Sequence, residues 1–271
     1  FALISANFGV IFWYNTLVYT FFLLPLIETL LPAIAVNYSE TDKTNRLQNQ
    51  WFDVLLYGNV LWVYGLMGYV LYLLNTQNFT YFEQVGMVFT LGIVYGANGI
   101  NVAHELGHRS NKVEQGMSKI LLSTSLYMHF FIEHNRGHHT HVSTPDDPST
   151  AKYRQSVFAF FFQTIPGTYM SAWRINAKIL KNQQVGFWSI HNEMLFFHLF
   201  QAGLMLGIYG IWGLTTLGYF LISAMIGILL LEAVNYIEHY GLIRPLSANN
   251  RYGRVQPEHS WNSNHLLGRV L

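Results

Sequence analysis

Residues 194–231 contain no aspartate, glutamate, lysine or arginine. A helix of about 20 apolar residues crosses a hydrocarbon core of ~30 Å, so this run is too long for one span and too apolar for the surface of a soluble domain. The glycines at 207, 210 and 213 predict a tight hairpin, with spans over 194–212 and 213–234. Residues 54–74 carry no charge apart from their flanks, and 84–103 form another such run. Residues 8–32 are largely apolar, interrupted by Asn15, Pro25 and Glu28, and read as a spanning helix with a polar side; residues 1–7 read as the tail of an earlier apolar segment. Only 11% of the 271 residues are charged and 16% are aromatic, with a mean hydropathy of +0.23. The expected fold class is an all-α integral membrane protein forming one membrane domain over 1–271.

Lysine and arginine positions give the orientation. If the span 84–103 runs toward the cytoplasm, the cytoplasmic segments are 33–53, 104–190 and 235–271, and all 15 basic residues fall in them. The opposite loop, 75–83, has none, which is the positive-inside pattern. That topology requires the short apolar run 120–132 not to cross, so it is expected as a re-entrant or interfacial helix. Residues 150–190 mix Phe158, Phe160, Phe161, Phe162 and Trp173 with Arg174, Lys178 and Lys181, as an interfacial helix on a bilayer does. A net charge of +1 gives no footprint for nucleic acid.

Histidines gather where these apolar runs end. His104-Glu105-Leu106-Gly107-His108 closes the span 84–103, and Glu133-His134-Asn135-Arg136-Gly137-His138-His139 follows the run 120–132. On a helix, His104 and His108 lie one turn apart on one face, and so do His134 and His138. Imidazoles at that spacing suit iron, zinc or copper. His139 lies about 100° around from His138, so the adjacent pair can serve two metals or two sides of one. H-E-x-x-H by itself also marks zinc peptidases, with both histidines on zinc and the glutamate as base, and it arises by chance. Two clusters on one side of the membrane favour a metal site. His239, in Asn235-Tyr236-Ile237-Glu238-His239, emerges at the same face after the last span. His259 and His265 follow in the C-terminal segment, and Pro145-Asp146-Asp147-Pro148 makes an acidic turn behind the second cluster. Glu105, Glu133, Asp146, Asp147 and Glu238 are candidates to accept the second ring N–H of ligand histidines. The sequence has no cysteine, which excludes disulfides, iron–sulfur clusters and thiolate-bound zinc within it.

HELGH, EHNRGHH followed by VSTPDDP, NYIEHYGL and HSWNSNH, in that order, resemble the integral-membrane non-haem diiron alkane 1-monooxygenases. The resemblance implies a bundle of about six transmembrane helices, the first mostly missing here, in a bacterial inner membrane, with a cytoplasmic histidine-rich cap over 104–190 and 235–271. It implies two irons held by His104, His108, His134, His138, His139 and His239; His259 and His265 read as outer-shell or structural residues. It implies dioxygen as co-substrate, a medium-chain n-alkane arriving from membrane lipid, and electrons from rubredoxin, itself reduced by a flavin-dependent reductase. Members carry a further H-x-x-H-H box soon after HSWNSNH; the sequence ends at Leu271 without it and opens on Phe1, so a trimmed chain is expected. Alternatives are a related histidine-box hydroxylase or desaturase acting on aromatic methyl groups or acyl chains, and the zinc peptidase built on His104, Glu105 and His108.

Overall fold

The computed structural model describes residues 13–31, 50–246, 249 and 252–261. The expected span 8–32 therefore begins outside the described residues, and the segment 33–49 and His265 lie outside them as well. All regular structure among the described residues is helical.

Helix α1, Asn15–Leu30, passes through a π-turn at Tyr19–Leu23 just before Pro25. Proline lacks the N–H that would continue the ladder, and the wider turn absorbs the fault. Helix α2, Gln50–Thr76, has 27 residues and is about 40 Å long at 1.5 Å per residue. A capping box starts α3, Tyr81–Gly107: the Thr80 N–H donates to Glu83 Oε2 at 2.8 Å, while the Thr80 hydroxyl oxygen accepts from the Glu83 N–H. A π-turn at Tyr95–Ile100 breaks the α-helical register of α3 shortly before His104. Its Asn98 carbonyl accepts from Asn59 Nδ2 of α2 at 2.6 Å, and the Asn98 amide donates back to Asn59 Oδ1 at 3.2 Å. Such pairs join helices where no water is present to satisfy the backbone.

Three helices are long and apolar enough to cross a membrane among the described residues, and the third runs over Glu193–His239. It is not one rod. Gly213 has φ 82 and ψ −179, a conformation open only to glycine. Both ends of this segment lie at the histidine face: Glu193 pairs with Lys119 and Arg136, and the His239 ring sits 4.9 Å from that of His138. Its middle lies at the opposite end, where the Thr216 hydroxyl donates to Asn75 Oδ1 at 3.4 Å and the Tyr219 hydroxyl to Gln84 Oε1 at 2.7 Å. The chain thus reverses at Gly213 into two arms, 193–212 (α7) and 214–239 (α8).

Small residues let α3 and α8 touch backbone to backbone. A Cβ added at Gly92 would lie 2.5 Å from Ile226 Cβ, and one added at Gly227 would meet Tyr95 Cβ at 3.0 Å and the Gly96 nitrogen at 3.2 Å. Around this seam, Trp13, Val63, Leu71, Met87, Leu91, Tyr95 and Phe220 form a solid apolar core.

The run 120–132 differs from the helix expected there. Helix α4, Lys112–Ser123, supplies its first part and then stops. The Ser123 hydroxyl donates to the Ile120 carbonyl and the Thr124 hydroxyl to the Leu121 carbonyl, both at 2.7 Å, which offers the backbone an exit from the helix. A buried turn follows, with Leu126 at φ 53, and α5 begins at Phe130 and continues to 141. The segment reverses without crossing the bundle. Helix α6, Val157–Asn182, turns a row spaced by four inward, namely Phe160, Thr164, Thr168, Ala172, Asn176 and Leu180. Its outer side exposes Phe158, Phe162 and Met170. That is an amphipathic helix with an apolar outer stripe.

Candidate metal centre

Three separate elements deliver the histidines. The end of α3 carries His104 and His108, α5 carries His134, His138 and His139, and the end of α8 carries His239. The ligand-capable atoms of His104, His108, His134 and His139 all lie within 4.8 Å of one another. Nε2 of His108 is 3.1 Å from that of His104 and 3.3 Å from that of His139, and Nε2 of His139 is 2.9 Å from that of His134. Four imidazole nitrogens at these separations fit around one ion whose metal–nitrogen bonds are about 2.0–2.1 Å.

The second box is not a regular α-helix. His134–His138 forms a π-turn, and the wider turn brings residues five apart onto one side. His139 therefore closes on His134 with ring centroids 4.4 Å apart, while His138 stacks on His134 at 5.2 Å and lies 5.9 Å from His139. On its other side His138 faces His239, with ring centroids 4.9 Å apart. Both rings have one nitrogen tied and the other free for a metal. Nδ1 of His138 lies 3.0 Å from Asp147 Oδ2, and Nδ1 of His239 lies 3.1 Å from the His259 carbonyl oxygen. A bond at one ring nitrogen sets the tautomer and orientation of the other. The six histidines thus form one continuous cluster, four around a common point and two beside it.

Electrostatics keep His108, His134 and His139 in the neutral, ligating form. Burial, with the charges of His108 and His138, pulls His139 down to about 4, and burial lowers His108. Burial and four neighbouring imidazoles hold His134 well below the usual histidine value. Burial also acts on His138, but the hydrogen-bonded Asp147 carboxylate outweighs it and raises the ring; by the same bond Asp147 is lowered. An imidazole polarised by a buried carboxylate is a stronger electron-pair donor to a cation.

The outer candidates separate. Asp147 is buried and accepts from His138, from the Thr150 hydroxyl at 2.6 Å and from the Ser149 N–H at 3.0 Å. Asp146 is exposed and contributes its N–H to Thr144 within the turn. Glu105 is exposed and pairs with Arg109 at 3.6 Å. Glu133 is buried beside the cluster with Oε1 lacking a hydrogen-bond partner among the described residues, and burial together with Asp147 pushes it up to about 7. Glu238 Oε2 stands 3.9 Å from His239 Nε2. His259 acts through its backbone carbonyl, while its Nδ1 accepts from the Gln256 N–H at 2.8 Å. Asp147→Asn should keep the turn and weaken metal binding about 10- to 100-fold, read by competition against a chelator; unchanged affinity would show that the carboxylate does not support His138.

Two supports carried no motif. Arg109 binds Asp53 of α2 at 2.5 Å and Glu114 of α4 at 2.7 Å, so the residue after His108 clamps three helices. Glu232, fully buried in α8, accepts from the Tyr127 hydroxyl at 2.8 Å, the Thr164 hydroxyl at 2.7 Å and Asn235 Nδ2 at 3.2 Å. Its signal was its position: a lone acid inside an apolar helix is costly and needs partners.

A helical membrane bundle that closes in a cage of imidazoles defines a histidine-box membrane metalloprotein. The family model described as fatty acid desaturase matches residues 82–271. The chain is 35% identical over 260 residues to alkane 1-monooxygenase 1 of Alcanivorax borkumensis, covering 96% of this chain and 64% of that protein. It is 36% identical over 269 residues to alkane 1-monooxygenase 1 of Pseudomonas aeruginosa, covering 96% of this chain and 69% of that protein. The xylene/toluene monooxygenase hydroxylase component XylM of Pseudomonas putida is 27% identical over 192 residues, or 70% of this chain and 50% of XylM. The chain belongs to the alkane 1-monooxygenase family, within the wider fatty acid desaturase family. It spans about two-thirds of the length of these alkane 1-monooxygenases.

Proposed function

We propose that the protein of which this chain is part hydroxylates medium-chain n-alkanes at the terminal carbon, using dioxygen. The metal is a pair of irons held by His104, His108, His134, His138, His139 and His239 at the cytoplasmic face of a bacterial inner membrane, and the electrons come from rubredoxin. The observation that carries this reading is the convergence of ligand-capable atoms from α3 and α5 within 4.8 Å, with His138 and His239 alongside, at one end of an apolar bundle. The donor set supports iron: imidazole nitrogen suits it, and the sequence offers no thiolate that would favour a closed structural zinc site.

When bound, iron supplies the reductive activation of dioxygen and the oxidising power for C–H cleavage. The protein supplies position and environment. Asp147 and the His259 carbonyl fix the tautomers of His138 and His239. The apolar faces of α1, α2 and α3 receive a hydrocarbon from lipid at small desolvation cost, because it leaves one apolar medium for another. Terminal C–H bonds are stronger than internal ones, so the selectivity is geometric: helices that hold the alkane end-on admit only its methyl group to the cluster. The basic residues of the cap support an inward orientation and suit an acidic electron carrier. The zinc peptidase reading lacks its base, since Glu105 is exposed and engaged by Arg109. Incubation of the iron-loaded, full-length protein with rubredoxin, its reductase and octane, p-xylene or a fatty acyl substrate separates the readings. 1-Octanol is the expected product. Turnover confined to the aromatic or acyl substrate would overturn the alkane assignment.

A further inference from the structure

A line of aromatic rings joins the histidine cluster to the protein surface, and packing alone does not require its composition. Phe130 stacks on His134 with centroids 4.7 Å apart, and Tyr127 lies 6.1 Å from Phe130. The buried His129 ring follows Tyr127 at 4.3 Å and meets Tyr169 of α6 at 5.3 Å. From Tyr169 the line passes to His198 of α7 at 5.8 Å and on to Trp173 at 5.5 Å. Phe187, stacked on Trp173 at 5.8 Å, then bridges to Trp188 at 5.1 Å. Trp188 is 85% exposed.

Both tyrosines on this line have a proton acceptor at bonding distance. The Tyr127 hydroxyl donates to the buried Glu232 carboxylate at 2.8 Å, and Tyr169 OH lies 2.8 Å from His198 Nε2. Nδ1 of His198 donates to the Met194 carbonyl at 2.6 Å, which leaves Nε2 as the acceptor for the Tyr169 proton. A base 2.6–3.2 Å from a hydroxyl is placed to take its proton. Phenols lose an electron far more readily when the proton has somewhere to go. His129 Nε2, between the two tyrosines, has no hydrogen-bond partner among the described residues.

We infer that Tyr127, Tyr169, Trp173 and Trp188 form an escape route that carries oxidising equivalents from the histidine cluster to the surface. The inference rests on the proposed oxidative metal centre. When an oxidising equivalent arises there without a hydrocarbon to consume it, Tyr127 gives up one electron to it and passes its proton to Glu232. Tyr169 returns that electron to Tyr127 and passes its own proton to His198, while the Glu232 proton goes back to the Tyr127 oxygen. Trp173 then reduces Tyr169, whose oxygen takes its proton back from His198; Trp188 reduces Trp173, and a soluble one-electron donor such as ascorbate reduces Trp188. The net transfer is one electron inward. The ligand imidazoles are thereby spared oxidation.

The test uses the full-length protein in lipid nanodiscs. No cysteine occurs in this sequence, and any that lies beyond it is first replaced by serine, so Ile190→Cys, at a position 95% exposed, takes a ruthenium polypyridyl photo-oxidant beside Trp188. Flash oxidation of the metal-free protein, with a sacrificial cobalt(III) electron acceptor, should give a tyrosyl radical by electron paramagnetic resonance. It should form more slowly in D2O. In Tyr127→Phe/Tyr169→Phe, which keeps both rings, that signal should be lost and the hole should stop as a tryptophanyl radical. Trp173→Phe should strand the radical at Trp188. An undiminished tyrosyl signal in either variant, or no radical beyond Trp188 in the parent, overturns the route. In a second arm the reduced, iron-loaded protein meets dioxygen without substrate, and the sites of oxidation are mapped by mass spectrometry. Oxidation should sit on Trp188 and Trp173 in the parent and move to His134 in the double variant; the same map in both overturns the protective role. The flash arm needs no metal, so it still reads the route if the metal assignment fails.

Discussion

Replacing His138 with alanine is expected to leave a bundle that inserts and folds but no longer retains its metal or its activity. Insertion depends on the apolar spans, and His138 lies outside them, on α5. The ring is buried and held by Asp147, and it stands between the four-imidazole group and His239. Its removal deletes a donor and leaves a buried carboxylate short of one partner, so metal affinity should fall by well over the roughly 100-fold that losing a supporting residue costs. Iron content of the purified variant, measured beside its elution profile in detergent, checks both halves of the statement. Full iron occupancy in a well-folded His138→Ala protein would remove His138 from the ligand set.

Gly92→Leu is expected to be the most damaging substitution away from the histidines. A Cβ at this position meets Ile226 Cβ at 2.5 Å, which no real contact tolerates. Leucine must therefore push α3 away from α8, and overpacking of this kind costs about 1–3 kcal/mol or more. The same shift separates His104 and His108 from His239, so metal binding should fall together with thermal stability. Gly58→Leu in α2 is the matched control, because a Cβ there has nothing within 4 Å. Melting temperature and metal content of the two variants decide the matter: equal values would show that the α3–α8 seam does not set the site.

The sequence made the residue types of the site legible but not their division. Spacing alone pairs His104 with His108 and His134 with His138, and the first pair does converge. It does not show that His139 closes on His134, because that depends on a π-turn, and no pattern in His134-Asn135-Arg136-Gly137-His138 announces the extra residue per turn. Asp146 and Asp147 are equivalent as letters; only the fold buries Asp147 under His138 and leaves Asp146 in solvent. The contribution of His259 through its carbonyl is likewise invisible, since any residue there supplies the same oxygen. The end of α4 shows a competition between composition and local chemistry: residues 120–132 are apolar enough for one helix, yet Ser123 and Thr124 take over the backbone carbonyls and end it. The turn back at Gly213 was easier to see, because an uncharged run of such length has to fold on itself and glycine is the residue that permits it.

Iron K-edge X-ray absorption of the full-length protein purified from membranes addresses the convergence of imidazoles most directly. The expected spectrum shows iron coordinated by nitrogen and oxygen, with the outer-shell scattering of several imidazole rings, and it loses ring scattering in His138→Ala. A protein that binds no iron, or that carries a single zinc in its place, would contradict the reading of His104, His108, His134, His138, His139 and His239 as one iron-binding cluster.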